Sequence, residues 1–240
     1  MRKGITRRKF LKVGGVGVVM LAVGGTAFRA GEVALGIGNE SGEQGMTELA
    51  GKELAMVIDL QRCIACKRCI SACRDENNLR EGHHWACAIE RKVGEPPNVR
   101  HEFIPTLCNH CIDAPCVRGC PVGAMYKGPG GLTMWDSKKC IGCRYCMINC
   151  PYSMIFFNET EPRKGTVEKC HFCYHRIREG KPPACVEACP AKARIPGDLN
   201  DPYSNVNQLL GRFRPERLKE GLGYKPKVFY IGGPIHEDRY

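Results

Sequence analysis

Cysteine spacing constrains this chain more than any other feature. From Cys108 to Cys150 it reads CNHCIDAPCVRGCP, then a Gly-rich turn, then CIGCRYCMINCP. The first run has the form C-x2-C-x4-C-x3-C-P and the second C-x2-C-x2-C-x3-C-P, their first cysteines 32 residues apart. Two more groups flank them. Cys63, Cys66, Cys69 and Cys73 repeat C-x2-C-x2-C-x3-C, with Arg74 in place of the closing proline. Cys170, Cys173, Cys185 and Cys189 form C-x2-C-x11-C-x3-C-P. Sixteen of the 17 cysteines fall into four groups of four, and Cys87 stands outside them. Two residues between cysteines let a tight loop turn both thiolates onto one centre, so the pattern reads as metal binding and not as a disulfide framework.

The run C-x2-C-x2-C-x3-C-P is the one by which bacterial ferredoxins hold iron–sulfur clusters, and in two-cluster ferredoxins the fourth cysteine serves the other cluster. Sixteen thiolates suffice for four [4Fe-4S] clusters. Groups two and three are adjacent and joined by a hairpin signal, so they are expected to exchange fourth ligands. One cluster then takes Cys108, Cys111, Cys116 and Cys150, and another takes Cys140, Cys143, Cys146 and Cys120. By symmetry the flanking groups pair as Cys63, Cys66, Cys69 with Cys189, and as Cys170, Cys173, Cys185 with Cys73. The alternative is a structural zinc protein, since C-x2-C pairs also build zinc ribbons. Zinc ribbons separate two pairs by a long spacer, which these compressed runs do not. His110 and His171 lie inside C-x2-C loops and are expected to be solvent-side or hydrogen-bonding residues, not ligands.

The fold class expected is α+β: two nested ferredoxin-like units, loop-rich, with short strands and helices. Residues 46–106 and 166–200 form an outer split unit, 107–165 an inner unit, and 201–240 a tail contacting partners. Strands are expected at Leu54–Asp59, at 124–127 and 132–135 around the turn Gly128-Pro129-Gly130-Gly131, at Ile155–Phe157 and at Ala193–Ile195. Residues 74–105 read as polar and irregular; within them His83, His84, Trp85 and Cys87 read as a packed loop, with metal or haem binding as the alternative. In the tail, a helix from Asn205 to Leu210 and a strand from Lys227 to Ile231 are expected on the surface.

The formal charge of +11 raises the question of nucleic acid. Its distribution answers against it. Residues 1–29 hold seven basic residues and no acid, so the remainder carries only +4. Four clusters, each about −2 with its thiolates, make that body roughly −4. The leader itself is informative: Thr6-Arg7-Arg8-Lys9-Phe10-Leu11-Lys12 resembles the twin-arginine export signal, ahead of an apolar stretch from Val13 to Phe28 that is short for a membrane span. Gly25-Thr26-Ala27 is a candidate cleavage site, and residues 1–45 are expected to be signal and linker. That route carries folded proteins, so clusters are inserted before the thiols meet an oxidising compartment.

From Met56 to about Leu210 the chain resembles the four-cluster iron–sulfur subunits of the DMSO reductase, or molybdopterin oxidoreductase, family. The segments that carry the resemblance are CNHCIDAPCVRGCPVGAMYK, KKCIGCRYCMINCPY, EKCHFC, PACVEACP and GDLNDPYSNVNQLL. IPTLCNHCIDAPC and EGHHW are most similar to arsenate reductase subunits, whereas the leader and the short span between Cys150 and Cys170 are more similar to tetrathionate, sulfite or nitrite reduction subunits. Nitrate reductase relatives have tryptophan at the position of Cys143 and a three-iron cluster there; with Cys143 present, four cubanes are expected. The resemblance implies an electron-transfer subunit without catalytic residues of its own. It would relay electrons between an integral membrane quinone-reactive subunit and a molybdopterin-containing catalytic subunit, at the periplasmic or extracytoplasmic face. The alternative partners are a multihaem cytochrome nitrite reductase or a sulfite-reduction membrane complex.

Overall fold

Five consecutive apolar residues, Leu54 to Ile58, suit a strand covered on both faces. The computed structural model, which describes residues 49–161 and 163–235, makes them the centre of a three-stranded sheet, β1 (Leu54–Asp59). On one side β8 (Arg194–Asp198) runs antiparallel, with Leu54 opposite Asp198 and Ile58 opposite Arg194. On the other β9 (Val228–Ile231) runs parallel, with Met56 opposite Val228 and Asp59 opposite Ile231. Alternation then divides the sheet by face. Ala55, Val57, Phe229 and Ile231 pack with Val206 of helix α6 (Asn205–Arg212). Met56, Ile58, Val228 and Tyr230 join a core that includes Cys69, Cys73, Cys108, Cys170 and Cys185. One face is therefore closed by a helix and the other by the cysteine-bearing segments.

Short helices carry the third and fourth cysteines of the groups. Helix α1 (Arg68–Glu76) holds Cys69 and Cys73. Helix α2 (Pro115–Arg118) holds Cys116, with Cys120 just beyond it, and α3 (Tyr145–Asn149) holds Cys146 and ends at Cys150. In the long insertion of the last group lies α4 (Tyr174–Ile177); α5 (Ala184–Glu187) then holds Cys185, with Cys189 just beyond. Helix α1 packs on α5, and α2 on α3. The second contact is close: a Cβ on Gly119 would come within 2.0 Å of the Asn149 amide. Three hairpins complete the fold, β2 (Ala86–Val93) with β3 (Arg100–Leu107), β4 (Met125–Lys127) with β5 (Thr133–Trp135), and β6 (Ile155–Phe157) with β7 (Val167–Lys169). This mixture of small helices and strands is the expected α+β class.

Two expectations are corrected. Residues 74–105 are not irregular, because α1 extends into them and β2 and β3 pair over eight residues. Charged side chains hid this hairpin from a reading based on apolar alternation. Arg91 and Glu102 stand directly opposite each other and pair at 2.8 Å. The tail strand is not on the surface either. All four residues of β9 are buried and Tyr230 is 0% exposed. Among the described residues no helix is long and apolar enough to cross a membrane. The expected export signal lies outside the described residues.

Helix α6 is fastened by Ser204, whose hydroxyl accepts from the Asn207 N–H at 3.3 Å and donates to the Asp198 carbonyl at 2.6 Å. The interior position of β9 yields a prediction. Ile231→Ala should cost about 2–5 kcal/mol and lower the thermal unfolding midpoint by about 4 °C or more, measured by circular dichroism. A shift under about 1 °C would return β9 to the surface.

Candidate functional site

The thiols gather where the helix pairs meet the sheet. Cys73, Cys170, Cys173 and Cys185 line one cavity, together with Met56, Trp85 and Phe172. Cys108, Cys111, Cys116 and Cys150 line a second, with His110, Thr133 and Tyr152. Cys120, Cys140, Cys143 and Cys146 line a third, with Met125, Ile141 and Val167. Three cavities, each bounded by four thiols, suit repeated copies of one group. Of the remaining four, Cys63 lies within electrostatic range of Cys69 and Cys189, and Cys66 is exposed on the same loop. We number the quartets first (Cys63, Cys66, Cys69, Cys189), second (the cavity of Cys73), third (the cavity of Cys108) and fourth (the cavity of Cys140).

Each C-x2-C loop turns in the same way. The residue before the second cysteine has a positive φ in all four: 54° at Ala65, 43° at His110, 69° at Gly142 and 61° at Phe172. A left-handed conformation costs an ordinary residue about 1–2 kcal/mol, so three of the four loops store strain that the surroundings must hold. At Gly142 a side chain is excluded outright, since its Cβ would lie 2.3 Å from the Gly165 carbonyl oxygen.

The electrostatics of the buried thiols have one theme. Burial, then the neighbouring cysteines, push Cys73 and Cys111 up to about 12. Cys116 reaches the same value, and Cys146 is pushed to about 11 in the same way by burial and by Cys140, Cys120 and Cys143. Four thiolates cannot share such a cavity unless positive charge comes with them. Cys120 shows the opposite balance: burial raises it, but N–H groups of Met125, Val122, Ala124 and Gly123 outweigh that and bring it below the ordinary thiol value. Other N–H groups also point at sulfur, Phe172 at Cys170 (3.3 Å) and Ala193 at Cys189 (3.3 Å).

These residues fit a multi-iron cluster. The donor set is all thiol. Buried polar hydrogens around the cavities also lack acceptors: Trp85 Nε1 at the second quartet and His110 Nε2 at the third, where the Tyr152 hydroxyl hydrogen-bonds the Cys111 sulfur. His110 is 1% exposed and held neutral by burial and by Lys169, Lys227 and Lys127. Its Nδ1 accepts the Thr133 N–H at 3.1 Å, so Nε2 carries the hydrogen. Cluster sulfides and thiolates are the acceptors such donors need. Four thiols at each cavity, drawn from two cysteine groups, suit a cubane.

Several residues that frame the site carry no sequence signal. Lys169 is 0% exposed, and its ammonium donates to the Cys170 carbonyl at 2.6 Å and to the Thr133 carbonyl. The Lys127 ammonium donates to the Cys111 carbonyl at 2.8 Å, and Lys227, 1% exposed, reaches Glu53 and the Gly131 carbonyl. Nothing in the order of residues marks Lys169 or Lys227 as interior; only the strand pairing does. The His83, His84, Trp85 and Cys87 set does not form a site. His83 pairs with Glu168 at 2.6 Å, His84 is exposed, and Cys87 sits on β2. Of the two loop histidines, His110 is buried, correcting the solvent-side option, and His171 accepts the Tyr174 N–H at 3.2 Å.

Comparison with known proteins agrees with this chemistry. Residues 99–199 match the 4Fe-4S dicluster domain. The arsenate respiratory reductase iron–sulfur subunit ArrB of Shewanella sp. (strain ANA-3) is 42% identical, covering 74% of this chain and 95% of the relative. A tetrathionate reductase subunit of Salmonella typhimurium is 42% identical over 74% of this chain and 72% of its own. Protein NrfC of Escherichia coli is 39% identical over 94% of this chain and 95% of its own. A 4Fe-4S dicluster domain within a chain so similar to these subunits leads to one conclusion: the chain belongs to the family of iron–sulfur electron-transfer subunits of respiratory reductases.

Proposed function

We propose that the chain holds four [4Fe-4S] clusters, one in each thiol quartet, and serves as the wire of an anaerobic respiratory oxidoreductase. When bound, the clusters supply reversible one-electron transfer without bond making or breaking. The observation that carries the reading is the division of sixteen cysteines into four sets, three of them each lining a common cavity. The chain's own part is to hold, space and tune. Helix α1 sends Cys69 to the first quartet and Cys73 to the second, while α2 and α3 divide their cysteines between the third and fourth. Cys170 lies within electrostatic range of Cys108, which joins the second quartet to the third. The order is then first, second, third, fourth. Cys66 and Cys143, in the two end quartets, are the exposed cysteines, beside Ile64 and Ile141, which are 65% and 64% exposed. Electrons would enter at one end and leave at the other.

The partners proposed are a molybdopterin-containing catalytic subunit and an integral membrane quinone-reactive subunit, on the extracytoplasmic side after twin-arginine export. The similarity to arsenate and tetrathionate reductase subunits supports the first. A multihaem cytochrome nitrite reductase is the second reading, favoured by the extent of the NrfC likeness, which takes in 94% of this chain against 74% for the others. Purification of the tagged chain from native membranes should bring down a molybdenum-containing polypeptide; a c-type haem spectrum without molybdenum would select the second reading.

Three further outcomes are expected. The purified chain should carry about sixteen iron and sixteen acid-labile sulfide. Cys143→Ser should remove or convert one EPR signal, and Cys87→Ser should leave all of them, whereas zinc without sulfide would overturn the cluster reading. Replacing Arg7 and Arg8 together by lysine should leave the protein folded in the cytoplasm by cell fractionation, and undiminished export would remove the twin-arginine assignment.

A further inference from the structure

Arg194, the first residue of β8, is 3% exposed and lies between the first and second quartets. Its Nη1 is 3.9 Å from Cys185 Sγ, in the second quartet, and 3.8 Å from Met56 Sδ. The guanidinium also hydrogen-bonds Cys69, in the first quartet. Cys63 and Cys73 lie within electrostatic range of the same group. A guanidinium this deep, with sulfur for neighbours, is costly as mere packing against Met56. Anionic centres on either side would repay it.

Resting on the reading that these two quartets hold clusters, we propose that Arg194 sets their reduction potentials together, as one permanent positive charge placed between them. The step it acts on is a one-electron reduction with no bond made or broken. Each centre with its thiolates goes from about −2 to about −3. A fixed cation in a low-dielectric interior stabilises the reduced form more than the oxidised form, so both potentials are raised. Arginine suits the place because its planar fork can donate to sulfur on two sides, and a lysine held between anionic centres would supply the same charge with less directed contacts. Arg62 provides the contrast: it adjoins Cys63, yet its side chain is 60% exposed and pairs with Asp59 at 3.3 Å, so solvent screens it.

The test is an EPR-monitored redox titration of the full chain in its native membrane complex, with iron and sulfide counted for each variant. Arg194→Gln should lower the reduction equilibrium constants of two centres at least tenfold each, which is about 59 mV for a one-electron couple. The other two should stay unmoved. Arg194→Lys should recover most of that shift, and Arg62→Gln should give little. Full iron content with all four potentials unmoved in Arg194→Gln would overturn the proposal. So would an equal shift in Arg62→Gln, or a shift in Arg194→Lys as large as in Arg194→Gln. Should Arg194→Gln lose iron, Arg194→Lys decides: near-native potentials with full iron support the role of charge, and loss of iron there too overturns it. Lack of iron and sulfide in the unsubstituted chain would instead defeat the cluster reading on which the proposal rests.

Discussion

Sixteen thiols confined to four small regions create an electrostatic problem that the rest of this fold is built around. Within a cavity such as that of Cys108, Cys111, Cys116 and Cys150, each ionised sulfur raises the cost of ionising the next, and burial raises it further. Bound iron would offset the repulsion, and the chain's own groups would do the rest. Backbone N–H groups point at Cys120, Cys170 and Cys189. Left-handed turns at Ala65, His110, Gly142 and Phe172 aim the paired cysteines. Buried cations at Lys169 and Arg194 offset negative charge in the interior.

The sheet contributes distance and rigidity rather than chemistry. The face of β1 with Met56 and Ile58 shares a core with thiols of the first, second and third quartets, while its other face is sealed by α6. Helix pairs then stitch neighbouring quartets, because successive cysteines on one short helix diverge into different cavities. This arrangement leaves the second and third quartets inside and the first and fourth nearer the surface, the asymmetry a conduit with two ends requires.

Legibility followed the kind of signal. Cysteine spacing reports loop geometry directly, and the strand at Leu54–Asp59 was readable from its unbroken apolar run. The turn Gly128–Gly131 announced the hairpin of β4 and β5. What sequence could not reveal were partnerships made over long separations. Strand β9, short and preceded by Lys227, reads as a surface element, and only pairing with β1, about 170 residues earlier, takes it inside. Lys169 and Arg194 fail the usual rule for charged residues for the same reason. Lys67, Arg68, Arg144 and Tyr145 lie between ligands in the sequence, yet the fold leaves them exposed.

We propose that four iron centres are shared among the sixteen cysteines in the crossed pairing described. Diffraction from the purified protein at the iron absorption edge is the decisive experiment. Four separate iron peaks are expected, one within each quartet, in the order first, second, third, fourth, with Cys73 and Cys189 each serving the neighbouring group's centre. Anomalous signal at the zinc edge instead, or an iron peak bounded by Cys63, Cys66, Cys69 and Cys73 together, would overturn the pairing.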